Sequence, residues 1–259
     1  MMQSAKVEKI SSPPVALEKV CHEYGIPVLL APWLLGFLAP YLTLNTLLPP
    51  MDASRSGFFA KMEEGSYFYS MQNTLELPAG LPVPEDDGAC NHLYGTRIPE
   101  LWLPSTDGKP INLAQTRGRT VLFCYPRTGQ PDQPVPAGWD AIPGARGCTP
   151  QCRAFRDHYR ELLAAGASHI FGLSTQDTDY QREAVERLEL PYPLLSDREL
   201  DLAHALKLPT FQFDSMTLIK RLTLIVDNGW IAKVFYPVFP TDKSAEQTLE
   251  WLVQNQPTS

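Results

Sequence analysis

Gly147-Cys148-Thr149-Pro150-Gln151-Cys152 lies at the point where a loop gives way to a helical pattern. Upstream, Thr120-Val121-Leu122-Phe123-Cys124-Tyr125 is a continuous β-prone apolar run, the pattern of a central strand buried on both faces. A proline-bearing loop, Pro126 to Gly147, separates the two. Thr149-Pro150 opens a helix, because proline in the first turn gives up an N–H that would have no partner there. A cysteine in that turn faces unpaired N–H groups and the positive end of the helix dipole, which favour the reactive thiolate. Arg146, Arg153 and Arg156 are close in sequence and could add positive potential, although arginines at such positions are ordinarily solvated.

Cys148 and Cys152 are four residues apart, so on an intact helix they share a face with Cβ atoms about 5–6 Å apart. A disulfide needs about 3.5–4.5 Å. Joining them therefore requires the first turn to unwind, which predicts a pair that is separate when reduced and distorts the helix start when oxidised. The spacing alone also fits coincidental packing or a metal site, though no second Cys or His pair follows at zinc-finger spacing.

Downstream, Phe155, Tyr159, Leu162 and Leu163 continue the helical spacing as far as Gly166. A strand (His169 to Ser174), a helix (about Tyr180 to Leu188), a short strand (Pro193 to Leu195) and a helix (about Glu199 to Leu206) follow. Arg221 to Val226 and Trp230 to Phe235 form a hairpin around Asp227-Asn228-Gly229, and a last amphipathic helix covers about Lys243 to Val253. Upstream of the central strand, Asp107-Gly108 marks another hairpin turn between Leu101-Trp102-Leu103 and Ile111-Asn112-Leu113. βαβ units followed by a hairpin and a terminal helix predict an α/β protein with a mixed central sheet and helices on both faces, compatible with a thioredoxin-like fold.

The chain has 259 residues, 44% of them hydrophobic, which excludes a disordered tail or a disulfide-stapled miniprotein. Its formal charge of −7 provides no global basic field, which argues against nucleic acid as a partner. Five cysteines, at 21, 90, 124, 148 and 152, make no disulfide framework and favour a reducing, cytoplasmic setting, with a membrane-associated or organellar one as the alternatives. Prolines number 25 against 16 glycines, and the cluster from Pro78 to Pro84 marks a boundary. Residues 1–88 are read as an N-terminal extension and 89–259 as the main domain. Within the extension, residues 24–51 form an apolar segment that Pro27, Pro32 and Pro40 interrupt. It is expected to be an arm packed on its own domain or on a second subunit, ahead of a membrane-associated segment or a targeting peptide.

From about Gly95 to Val253 the chain resembles the peroxiredoxins of the AhpC/TSA superfamily, most closely the Q-type, bacterioferritin comigratory protein-like group. The resemblance rests on Ile98-Pro99-Glu100-Leu101, Asp107-Gly108-Lys109, the strand ending Tyr125-Pro126, Gly147 to Gln151 with Phe155-Arg156-Asp157, and Arg221 to Asp227. It implies that Cys148 is the peroxidatic cysteine, that Arg221 stabilises the thiolate and the peroxide, and that Pro126 opens the active-site loop. It also implies a thiol-dependent peroxidase that takes hydrogen peroxide or organic hydroperoxides, needs no cofactor or metal, is recycled by thioredoxin or glutaredoxin, and is a monomer or homodimer.

Two departures stand out. The family usually has Thr or Ser three residues before the peroxidatic cysteine to position the peroxide, and this chain has Ala145, leaving Thr128 as the substitute hydroxyl. The Q-type resolving cysteine usually stands five residues after the peroxidatic one, where this chain has Arg153; Cys152, one position earlier, is the resolving candidate. Cys124, Cys90 and Cys21 are read as structural or free thiols. The alternatives are a redoxin domain acting as a thiol-disulfide reductase or interaction module, and a copper-binding assembly chaperone of the Cys-x-x-x-Cys type. The copper chaperones need a late histidine ligand, and His204 is the last histidine here.

Overall fold

The computed structural model describes residues 77–131 and 133–256 of the chain. Strand β1 (Arg119–Cys124) is the centre of a five-stranded sheet with the order β3-β2-β1-β6-β7. β2 (Ala167–Ser174) lies parallel to β1, and β3 (Leu194–Ser196) parallel to β2. On the other side β6 (Leu222–Asp227) runs antiparallel to β1, and β7 (Trp230–Phe235) antiparallel to β6. The mixed sheet predicted from the alternation of strand and helix signals is present.

The two faces follow from the period of 2 along β1. Val121 and Phe123, with Tyr125 beyond the strand end, point to one side, where they meet Phe155, Leu162, Ala184, Leu188, Ala245 and Leu252. These come from α1 (Cys148–Asp157), α2 (Tyr159–Ala164), α3 (Thr178–Leu188) and α5 (Ser244–Gln254). Phe123 and Phe155 stack with ring centroids 4.2 Å apart, which ties α1 to the central strand. Leu122 and Cys124 point to the other side, into a core with Leu93, Ile98, Leu103, Leu113, and with Leu202 and Leu206 of α4 (Asp201–Leu206). Helices therefore cover both faces.

The Asp227-Asn228-Gly229 turn forms as expected, with Asn228 and Gly229 at φ 49° and 85°, the left-handed pair that a tight two-residue hairpin requires. The Asp107-Gly108 turn forms as well, closed by reciprocal backbone bonds of 2.9 Å between Leu103 and Ile111. In two places the structure departs from the expected elements. The helix opened by Pro150 is not continuous to Gly166, because His158 (ψ 8°) leaves the helical region and divides it into α1 and α2. A second hairpin, β4 (Thr210–Phe213) with β5 (Met216–Ile219), was not anticipated. Its turn has no glycine, and Asp214 takes the left-handed conformation instead (φ 51°).

This hairpin gives the long loop after β1 a surface to pack on. Trp139, in a short 3₁₀ turn (Trp139–Ala141), meets Phe213 edge-on at 4.9 Å and lies near Phe211 at 6.1 Å, in a small core with Ala145 and Leu218. The apolar segment 24–51 lies outside the described residues. Among the described residues no helix is long and apolar enough to cross a membrane.

Candidate active site

α1 begins at Cys148, with Gly147 as its N-cap in the left-handed region (φ 100°). The N-cap has no side chain to offer, and Pro150 carries no N–H. Gln151 N–H already bonds Gly147 O at 3.0 Å, so the first-turn donors without an intrahelical acceptor are those of Cys148 and Thr149. Cys148 is 4% exposed, and its Sγ lies 3.6 Å from the carbonyl of Ala145.

Arg221 reaches this thiol from the position just before β6. Its Nη2 donates to Cys148 Sγ at 3.1 Å and also to the carbonyls of Ala145 and Arg146, both at 3.2 Å. Its Nε donates to Gly144 O at 3.3 Å, and its Nη1 donates to Gln151 Oε1. Arg221 is 3% exposed, and these partners are carbonyl and amide oxygens and one sulfur. None of them is a carboxylate, so the cation is held in place without being neutralised, and its charge remains available to the sulfur.

Gln151, which sequence reasoning quoted but gave no role, is the link that fixes this arginine. It is fully buried, accepts from Arg221, and donates through Nε2 to Ser244 Oγ at 3.2 Å. Ser244 in turn lies 3.3 Å from Thr223 Oγ1. A glutamine three residues after the cysteine, on the same helical face, was the available signal.

The other expected site residues are placed as follows. Cys152 shares α1 with Cys148, and both are free thiols. Burial pushes the Cys152 thiol well above the ordinary range, and Tyr192 Oη donates to its carbonyl at 2.6 Å. Pro126 is buried just beyond β1. Thr128 is buried too, but its hydroxyl donates to Gln176 Oε1 at 3.1 Å, and its backbone is held by Gln176 and by Tyr180 Oη. Its donor is thus committed at the junction of β2 and α3 and not to Cys148. Ala145 contributes only its carbonyl. Arg146 lends its own carbonyl to Arg221 while its side chain pairs with Asp140 at 3.4 Å. Arg156 turns to Asp157 and to Leu188 O.

Cys124 and Cys90 are core thiols: burial raises Cys124 far above its usual range and pushes Cys90 up to about 12, with Asp87 and Asp86 adding to the latter. Cys21 lies outside the described residues. His204 is exposed on α4, and among the described residues no group of three His, Cys, Asp or Glu side chains is placed to hold a metal ion.

Comparison with known proteins gives the family. The Redoxin family model matches residues 93–249. A chloroplastic peroxiredoxin Q of Gentiana triflora is 27% identical over 216 residues, covering 81% of this chain and 91% of the relative. Another, from Sedum lineare, is 29% identical over 186 residues, covering 71% and 90%. Among solved structures, the peroxidoxin BcpB from Mycobacterium tuberculosis is 27% identical, with a TM-score of 0.50 over 61% of this chain and 95% of that one. The family model spans more than half of the chain, and the chain belongs to the Redoxin family as a relative of the Q-type peroxiredoxins.

Proposed function

We propose that this chain is a thiol-dependent peroxidase in which Cys148 is the attacking thiol. The observation that carries the reading is the 3.1 Å approach of Arg221 Nη2 to Cys148 Sγ at the start of α1. The Cys148 thiolate attacks the terminal oxygen of a hydroperoxide; a sulfur–oxygen bond forms, the O–O bond breaks, and the alkoxide or hydroxide leaves and takes a proton. Arg221 and the N–H groups of the first turn stabilise the charge on the sulfur before attack and on the leaving oxygen during it. Cys152 sulfur then displaces water from the sulfenic acid to form the disulfide, and an external dithiol of the thioredoxin or glutaredoxin class reduces it back by exchange. Pro126, buried just beyond β1, is where the active-site loop opens. The residues need no metal or organic cofactor for these steps, and a thiol-reducing compartment, cytoplasmic or organellar, suits them.

One observation favours a second reading, a redoxin domain that exchanges disulfides without reducing peroxide: Ala145 has no hydroxyl, and that of Thr128 is committed to Gln176. Consumption of hydrogen peroxide with a thioredoxin system separates the two. Wild type turns over, Cys148→Ser does not, and Cys152→Ser stops after one equivalent or depends on an added monothiol. Undiminished turnover in Cys148→Ser would falsify the assignment; dithiol exchange without peroxide consumption in wild type would establish the second reading.

A further inference from the structure

Residues 77–87 precede the part of the chain matched by the family model, yet two of them pack against Gly144 and Gly147 in the loop leading to Cys148. A Cβ built on Gly147, the residue before Cys148, would meet Leu77 Cδ2 at 2.8 Å and would collide with Thr241 Oγ1. Leu77 and Thr241 thus converge on one spot at the N-terminus of α1. A Cβ on Gly144, whose carbonyl holds Arg221 Nε, would lie 3.5 Å from the ring of Pro84. Asp87 closes the far end: Lys220 Nζ donates to its Oδ2 at 2.8 Å and Tyr236 Oη to its Oδ1 at 2.9 Å. Lys220 is the neighbour of Arg221. One short segment therefore touches the helix start, the loop before it and the β5–β6 connection that carries the arginine.

We propose that residues 77–87 are a strap latched across the start of α1, that Leu77 restricts the size of hydroperoxide reaching Cys148, and that Asp87 is the latch. This rests on Cys148 being the attacking thiol. Pro78, Pro82 and Pro84 fix φ at three of the strap's positions and make it a stiff cover instead of a loose tail. The latch is polar and exposed, so it opens without breaking a core. Beneath the cover, Thr241 Oγ1 is fully buried and has no hydrogen-bond partner among the described residues. Lifting Leu77 lets water or the peroxide itself satisfy that hydroxyl, so the open form regains a bond that the closed form lacks. A small oxidant such as hydrogen peroxide passes the closed strap, whereas a bulky apolar hydroperoxide reacts through the open form.

The test measures Cys148 oxidation by stopped flow in the full-length chain, with hydrogen peroxide and with cumene hydroperoxide, for wild type, Leu77→Ala, Asp87→Ala and Cys148→Ser. Leu77→Ala and Asp87→Ala alter opposite ends of the strap, and neither touches the thiol or Arg221. Both are expected to raise the cumene hydroperoxide rate by about three- to tenfold, the range a weak surface latch can supply, with hydrogen peroxide changed less than about twofold. Added salt should raise the cumene hydroperoxide rate of wild type but not of Asp87→Ala. Rates for both peroxides that match wild type in both variants, or that rise equally for both peroxides, overturn the strap. Failure of the underlying assignment looks different: Cys148→Ser would then still react.

Discussion

Replacing Arg221 by lysine keeps the charge and removes the geometry, and so tests whether the fixed fork matters. In the native chain the guanidinium serves Gly144, Ala145, Arg146, Gln151 and Cys148 at once. A lysine ammonium has three donors radiating from one point and cannot span the distance from Gly144 O to Gln151 while also facing the sulfur. At least two buried charge-assisted bonds are lost, each about 1.5–3 kcal/mol, so Arg221→Lys should unfold about 3 kcal/mol more easily in urea. The donor to the sulfur is also no longer held in place. Loss of one preorganised donor to a reacting centre is ordinarily a fall of about 10²–10³ in rate. Stopped-flow oxidation by hydrogen peroxide, read alongside the urea midpoint, checks both numbers. A variant that reacts within about threefold of wild type would show that charge alone suffices and would refute the argument from the carbonyl cage.

Gly147→Ala should lose both stability and peroxide reactivity, because φ 100° disfavours any side chain and the new methyl meets Thr241 and Leu77; a normal melting temperature would contradict this. Tyr192→Phe removes the 2.6 Å bond to Cys152 O that must break when α1 opens, so disulfide formation after one equivalent of peroxide should quicken about fivefold, for about 1 kcal/mol, in a quenched mass-spectrometric time course. The buried thiols make the fold alkali-sensitive. Cys90 is raised from the ordinary thiol range to about 12, so above about pH 8.5 the unfolded chain loses a proton that the folded chain keeps. Its contribution is full below about pH 8.5 and declines toward pH 12, at up to about 1.4 kcal/mol per pH unit, so Cys90→Ala should flatten the stability curve by that slope, and an unchanged slope would contradict the assignment.

The sheet and its helices were legible because their signals are local. Val121 to Tyr125 is apolar at every position, as a strand buried on both faces must be, and the Asn228-Gly229 turn has one common conformation. The β4–β5 hairpin was hidden because Asp214-Ser215 carries no glycine and its apolar residues, Phe211 and Phe213, pack on Trp139 from a distant loop. In the candidate site, motif alone singles out Cys148 and Arg221, which the fold brings to 3.1 Å, while the part Gln151 plays in holding Arg221 is not legible. A buried glutamine gains meaning only from partners at Arg221 and Ser244, far away in sequence. The bond from the Thr128 hydroxyl to Gln176 is illegible for the same reason, since Gln176 stands just past the end of β2, far from Thr128 in sequence. The packing of residues 77–87 is illegible as well, because proline-rich composition marks a boundary but does not say what the segment leans on.

The two thiols of α1 show why spacing along a helix underdetermines chemistry. They share a helix and stand one turn apart, yet one faces a cation and the other an apolar core. Cys148 is where the chain meets the arginine, with carbonyls arranged to hold the charge. Cys152 lies under Tyr192 and beside Phe155, where burial keeps its proton on. On the proposed assignment, the folded site sets a cation beside the attacking thiol and keeps the second buried and protonated. The second becomes available only when the first turn opens and brings it into water. If Cys148 is the attacking thiol, opening would break the Tyr192 bond and loosen α1 from Phe123, so the contacts that hold α1 on the sheet would also set how long the sulfenic acid waits.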